Sequence, residues 1–459
     1  MVVSTHTLWE KRLLRTKILS FRDGVTHFLT PQVWKQAHQA WPNAPSASRW
    51  TLQPLLWTLL TMAWCTGSSE GERFATARAY CVASRQKQRR PGETLQGFQM
   101  ALVKLPMYVL RAFAKALRQV LAKMFFDGAR IGGFLPFAGD GSRLECPRAQ
   151  PLQQRLGEAG KTDSAPMMYL SALVLLPLGL PWAWRWGKGT ASEHDHLRQM
   201  LSTLPERSLI VADAFYQGYD LYRDILKAGA SFLVRLSSRS CLYTRDKVPL
   251  SSLRESQVYY WPQKAREQGK PPLLVRLLRV RDAKADVWLL TNVLDRPQLS
   301  HKTASQLYRW RWRNEGMFRH YKRMLDKTKL HNRTVSLVHR EAEGSMLALQ
   351  LLLAMAAQAV ERGQGVKVVG SPRQMLLHIR GDIAAKIRSL GPRQFAAYQR
   401  MLVIVRSEER PDRKSPKVRQ AWPRRKDHEP PKPPKIRVMD KALKALLDKF
   451  LQAGRPCNR

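Results

Sequence analysis

Four side chains in one short stretch set a lone carboxylate among two cations and a phenol. They are Tyr308, Arg311, Glu315 and Lys322, within LYRWRWRNEGMFRHYKRML at 307–325. Arginine's planar fork suits phosphate oxygens and lysine supplies a point charge. Glu315 is the lone carboxylate among these cations, and two acids upstream are of the same kind. Asp140 and Asp213 each close an apolar run, in IGGFLPFAGDGS and SLIVADAF. Three carboxylates with no softer ligand suit magnesium or manganese, which keep several waters and take phosphate oxygens as further ligands. Two such ions about 3.5–4 Å apart can activate a water or a 3′-hydroxyl and stabilise the leaving oxygen of an in-line displacement. No side chain need act as nucleophile.

That chemistry demands rigid supports. The stretch 307–325 has no Pro and one Gly, so a single helix is expected through it. At about 100° per residue, with Tyr308 at 0°, Arg311 falls near −60°, Glu315 near −20° and Lys322 near −40°. Leu307, Trp310, Met317, Tyr321, Met324 and Leu325 gather on the other side as an apolar seam. Upstream, Ile131–Ala138 reads as a strand ending in the turn Gly139-Asp140-Gly141-Ser142. Met167–Leu176 and Trp182–Trp186 read as two strands joined by the breaker PLGLP. A helix follows from Ser192 to about Leu204, then the strand SLIVA ending at Asp213, a helix over Tyr219–Ala228 and the strand SFLVRL. Three strands, helix, strand, helix, strand is the order of a ribonuclease H-like α/β sheet. Val258–Trp261, Leu273–Val280 and Val287–Thr291 add a β-rich insertion, and Leu337–Val360 a long apolar helix.

Other groups carry less. His194 and His196, at i and i+2, point apart on a helix, so they make a poor metal pair. Glu193 and Asp195 suit the start of that helix, where the macrodipole favours acids. Trp182, Trp184 and Trp186 alternate as strand core. No Walker-type loop appears, so ATP is not implied.

The bulk composition is consistent with a polyanionic partner. The 459 residues carry 78 Lys+Arg against 35 Asp+Glu, a net +43, which favours nucleic acid over an anionic membrane surface. Cys65, Cys81, Cys146, Cys241 and Cys457 are scattered and odd in number, against a zinc site or a disulfide framework. The start MVVSTHTLWEKRLLR does not read as a signal peptide. The longest apolar runs, Leu52–Cys65 and Leu347–Val360, fall short of the ~20 residues of a membrane span. A cytoplasmic, nucleoid-associated protein with no membrane partner is expected.

Five segments follow from these shifts in texture. Residues 1–130 are expected to form a helical domain, with a long helix over Leu102–Phe126 and a basic run, RQKQRR, at 85–90, read as the DNA-end-binding domain if the partner is DNA. Residues 131–239 and 296–365 form the two parts of the core, and 240–295 the insertion. Residues 366–459 form a basic C-terminal region. Within it Arg406–Arg437, with 12 Lys/Arg and 7 Pro, reads as extended or disordered. Asp440–Leu451 returns to helical periodicity as a docking helix.

The order Tyr308-x2-Arg311-x3-Glu315-x6-Lys322, downstream of GDGS and VADAFYQG, resembles the Y-R-E-K signature of bacterial DDE-type insertion-sequence transposases (insertion-sequence family four). The family's second motif is matched loosely, because Asp213-Ala214-Phe215-Tyr216 shifts the aromatic by one position. The resemblance implies a metal triad of Asp140, Asp213 and Glu315 holding two Mg2+ ions, with Mn2+ able to substitute. It also implies that Tyr308, Arg311 and Lys322 contact phosphates near the scissile end. Trp288, with Trp261 as the fallback, corresponds to a Trp that stacks on a flipped base. The implied partners are double-stranded DNA, both element ends and target, and a second copy in a homodimeric synaptic complex. The implied activity is cleavage at terminal inverted repeats, through a hairpin, and joining of the 3′ ends to target. A nuclease lacking strand transfer, or a non-catalytic DNA binder of the same descent, are the alternatives.

Overall fold

Apolar residues at helical spacing dominate residues 21–129, whose described part forms helices joined by short turns. The structure, a computed structural model, describes residues 21–45, 48–85, 89–157, 164–247, 254–281, 286–364, 371–408 and 433–452. Six helices come first: α1 (Phe21–Phe28), α2 (Pro31–Gln39), α3 (Leu52–Trp64), α4 (Glu70–Ser84), α5 (Leu95–Lys104) and α6 (Met107–Ala129). Thr30, Ser69 and Thr94 cap α2, α4 and α5 by accepting a backbone N–H. The single helix expected over Leu102–Phe126 is two, broken at Leu105-Pro106. Proline disfavours a helical residue before it, and Leu105 sits at ψ 116°, in the extended region. Residues 86–88 of the basic run RQKQRR lie outside the described residues.

The sheet begins with β1 (Leu135–Glu145), followed by α7 (Gln150–Leu156), β2 (Met167–Leu175), β3 (Leu180–Lys188), α8 (Glu193–Leu201), β4 (Ser208–Ala212), α9 (Tyr219–Lys227) and β5 (Ser231–Arg235). β1, β2 and β3 are antiparallel neighbours, whereas β4 runs parallel to β1 and β5 parallel to β4. This is the ribonuclease H-like arrangement. Every residue of SLIVA in β4 is buried, as expected of a parallel strand covered on both faces. Leu209 and Val211 pack with Leu307 and Tyr308 on one face. Ile210 and Ala212 join Leu197, Tyr222 and Ile225 on the other.

One expectation is corrected at β1. The apolar run does not stop at a turn before Asp140; the strand continues to Glu145, and Asp140 pairs with Ala172 of β2. The glycines on either side are used as strand residues, not as turn formers. A Cβ at Gly141 would overlap the Tyr169 hydroxyl, and one at Gly139 would touch the Tyr216 ring.

The inserted strands extend the same sheet. β6 (Cys241–Thr244), β7 (Glu255–Tyr260), α10 (Gln263–Glu267), β8 (Leu273–Arg281) and β9 (Asp286–Thr291) follow in the chain, and β9 pairs antiparallel with β5. Next come α11 (His301–Trp310), α12 (Arg313–Arg319), α13 (Val335–Gln364), α14 (Pro372–Arg388), α15 (Pro392–Glu408), β10 (Lys435–Val438) and α16 (Lys441–Gln452). The ten strands run β10-β6-β7-β8-β9-β5-β4-β1-β2-β3. β10 adds a parallel edge to β6, and α16 is held by the Arg245–Asp448 ion pair and by Phe450 against Trp261. Residues 409–432, most of the segment read as extended or disordered, lie outside the described residues, but its two ends are regular structure in α15 and β10.

The second correction concerns 307–325, which is not one helix. α11 ends at Trp310, α12 begins at Arg313, and His320–Met324 form a π turn. At the break, Arg311, Trp312 and Asn314 donate to the carbonyls of Tyr308, Arg309 and Arg311, three residues back. The cause is burial on both sides. Tyr308 and Arg311 are buried, at 8% and 7% exposure, and so are the seam residues Leu307, Met317 and Tyr321 opposite them on the helical wheel. Tertiary contacts on two faces override the regular ladder.

Candidate active site

The register of β1 on β4 sets the site. Their last paired step is Ala138 with Val211, and two residues further along each strand stand Asp140 and Asp213. With a period of two, both acids point the same way as Ala138 and Val211, toward the face covered by α11. Adjacent strands lie ~4.8 Å apart, so the two carboxylates are neighbours. Asp213 also shapes its own loop, since its Oδ1 accepts the Phe215 N–H at 2.9 Å and caps the 3-10 turn Ala214–Tyr216.

Electrostatics single out Asp140. Burial pushes its carboxyl up to about 6, and the charges of Glu193 and Asp213 push the same way; the Gly141 N–H, at 2.8 Å, and the Arg311 guanidinium oppose them. The folded-state value lies above the unfolded one, so the folded protein holds an extra proton between about pH 4 and 6, and stability falls across that window as pH rises. At pH 8 the ionised carboxylate costs about 3 kcal/mol with no cation beside it. Asp140→Asn is therefore expected to raise the metal-free melting temperature at pH 8, with the gain disappearing toward pH 4. Thermal melts across that range check it; equal stability at every pH would remove the assigned strain.

The helix residues are placed unequally. Arg311 is 7% exposed, its guanidinium 5.6 Å from the Tyr308 ring and 5.0 Å from the Trp312 ring, and its Nε has no hydrogen-bond partner among the described residues. Tyr308 is buried beneath it. Glu315 is exposed on α12, which packs on β1 and β2, and makes no ion pair among the described residues. Lys322 is half-buried in the π turn, where burial lowers its ammonium. Asp140, Asp213 and Arg311 thus come together, whereas Glu315 and Lys322 lie at the surface edge. Among the described residues no three His, Cys, Asp or Glu side chains stand close enough to hold one ion.

Trp288 and Trp261 are placed differently from the expected stacking platform. Trp288 is 5% exposed on the inward face of β9, with the Arg279 guanidinium 5.6 Å from its ring. Trp261 is fully packed and donates its indole N–H to the Lys270 carbonyl at 2.9 Å. Trp288 lies in β9, which has buried residues on both faces, and Trp261 lies just past β7 against Phe450. The large exposed aromatics near the acids are Trp312 and Phe215, at 59% and 63%. The sequence offered one signal for Trp312, its position off the apolar seam.

The structure also brings in residues that sequence reasoning assigned to a helix start. Glu193 accepts a hydrogen bond from the Tyr169 hydroxyl, and His194 Nε2 bonds the Phe215 carbonyl at 2.7 Å. His196 turns away to Ser171, at 2.8 Å, as the i, i+2 spacing requires.

A ribonuclease H-like sheet with two aligned aspartates under a basic helix defines a class of site, and sequence comparison agrees with it. Residues 137–351 match the family model described as Transposase DDE domain, which supports a DDE-type transposase. A comparison with curated proteins returns no match. Among solved structures the chain is similar to the piggyBac transposase in a synaptic complex with hairpin DNA, at 10% identity and a TM-score of 0.40, covering 84% of this chain and 86% of that one. Among the described residues, no helix is long and apolar enough to cross a membrane, and Cys65, Cys81, Cys146 and Cys241 are free.

Proposed function

We propose that this chain is a DNA transposase of the Y-R-E-K group, acting on the terminal inverted repeats of its own insertion sequence. The observation that carries this reading is the register aligning Asp140 with Asp213 beneath the helices that bear Tyr308, Arg311, Glu315 and Lys322. The donor chemistry fits a hard divalent cation: all oxygen, with one carboxyl already pushed up by burial and by neighbouring acids. Asp140 and Asp213 would hold Mg2+, or Mn2+ in its place, and Glu315 would turn inward to complete the set. When bound, such ions supply Lewis acidity to the attacking and leaving oxygens.

The chain's own residues do the remaining work. Arg311, whose Nε has no partner among the described residues, would take a phosphate oxygen, and Lys322 would add charge at the same backbone. Exposed Arg111, Lys115 and Lys123 line α6 and exposed Lys104 ends α5, so the helical segment 1–130 would grip the element end through phosphates. A dimer would hold two ends at once, with hairpin formation and joining to target as successive displacements.

The test is incubation of the full chain with Mg2+ and a labelled duplex carrying its element's end. Nicks, hairpins and joined products are expected. Cleavage without joining would reduce the reading to a nuclease, and binding without cleavage to a DNA-binding relic.

A further inference from the structure

Asp140 and Asp213 are reached from behind by the first turn of α8. Gly141 pairs with Ser171, which bonds His196 of α8. That side of the sheet therefore faces α8, and Asp140, one residue away, faces the other side. Ser192 caps α8 by accepting the Asp195 N–H, which sets Glu193 and His194 over the ends of β1 and β4. Glu193 accepts from the Tyr169 hydroxyl and lies within hydrogen-bonding reach of the buried Tyr216 phenol. Tyr169 lies over Gly141 so closely that a Cβ there would displace it, and Tyr216 lies in ordinary contact over Gly139; these two glycines flank Asp140. His194 grips the other aspartate's loop. Its Nε2–H donates to the Phe215 carbonyl at 2.7 Å, and its ring lies 6.0 Å from Tyr216 at 28° and 5.6 Å from Phe215 at 69°. The same Phe215 gives its N–H to Asp213.

We infer that Glu193 and His194 are positioning residues for the aspartate pair: acting through Tyr169, Tyr216 and the Phe215 peptide, they fix the spacing and aim of Asp140 and Asp213. The inference rests on the metal-site reading proposed above. Outer partners that orient metal ligands commonly change affinity 10–100-fold when removed. Loss of the His194 contact frees the turn that aims Asp213, and loss of Glu193 frees the two tyrosines beside Asp140.

The experiment uses the full chain with Mn2+ as probe, measured by titration calorimetry, beside DNA-end affinity and melting temperature without metal. His194→Ala is expected to weaken Mn2+ binding about tenfold or more. It should also move the Mn2+ dependence of cleavage upward to match, with end affinity and melting temperature unchanged. His194→Gln, whose amide can donate to the same carbonyl, should recover most of the loss. Tyr169→Phe, which removes a single hydroxyl, should weaken Mn2+ binding in the same direction. The inference is overturned if His194→Ala and Tyr169→Phe both bind Mn2+ within twofold of wild type. It is also overturned if Gln rescues no better than Ala while melting temperature falls in step. Failure of the underlying reading looks different: Asp140→Asn would then bind Mn2+ as wild type does.

Discussion

Glu315→Gln is expected to slow magnesium-dependent end cleavage by about 10³-fold or more, on the order of 4 kcal/mol in the barrier, while end binding stays within about twofold. The substitution keeps size and hydrogen-bonding capacity and removes only the charge a hard cation needs. Structural damage is not a competing explanation. Glu315 is exposed, without an ion pair among the described residues, so packing and melting temperature should be unaffected. Single-turnover cleavage and an anisotropy titration on the same duplex separate the two effects. If the variant cuts as well as wild type, Glu315 is no metal ligand and the exposed position seen in the structure is its working one.

The largest stability effect is expected at Lys327, just past the π turn that carries Lys322. Lys327 Nζ lies 2.7 Å from Glu341 Oε1, with side-chain exposures of 6% and 9%. Glu341 Oε2 also accepts from the His331 and Asn332 backbone N–H groups, at 2.9 and 3.1 Å, and from Asn332 Nδ2 at 3.0 Å. Asn332 continues the network to Glu70 on α4, and Arg73 of α4 reaches Asp326 at 2.6 Å. The N-terminal helices thereby hold the end of the signature segment, around a small cavity of about 30 Å3 that neither aspartate lines. Lys327→Met removes the cation and leaves Glu341 buried, which typically costs about 3–5 kcal/mol. A second readout is pH. Burial alone would raise Glu341, but Lys327, Asn332 and His331 outweigh it and hold the carboxyl down to about 2. A depressed value means stability is full above about pH 4.5 and is lost as pH falls toward 2, by about 3 kcal/mol in all. Denaturant melts of wild type between pH 6 and 2.5 should show that loss, and Lys327→Met should flatten it. A variant as stable as wild type at pH 7 would show that the pair contributes no net stability.

Much of the core was legible because its cues are local. SLIVA, SFLVR and the two runs around PLGLP are strands in the structure, with ends displaced by a residue or two. Other features were hidden for identifiable reasons. Gly139-Asp140-Gly141 looks like a turn by composition, yet it pairs residue for residue with Leu173-Ala172-Ser171 of β2 and so stays a strand, with Tyr169 in the space above Gly141. β10 is four residues long and mostly exposed, so it carries no readable period; its partner β6 defines it.

The sequence by itself determined the kinds of residue available: carboxylates suited to a hard cation, cations on the same expected helix face as Glu315, a +43 excess, and the periods that make most helices and strands. Tertiary structure alone decided which of these meet. Pairing Ala138 with Val211 puts Asp140 beside Asp213. Burial on two faces breaks the signature helix at Arg311 and sends its guanidinium toward Asp140. A covered sheet takes Trp288 into the core, and α8 brings Glu193 and His194 behind the acids. The reason is that periodicity along a chain fixes which side of an element is apolar, whereas register and layer packing fix what lies across from it, and those depend on residues far apart in sequence.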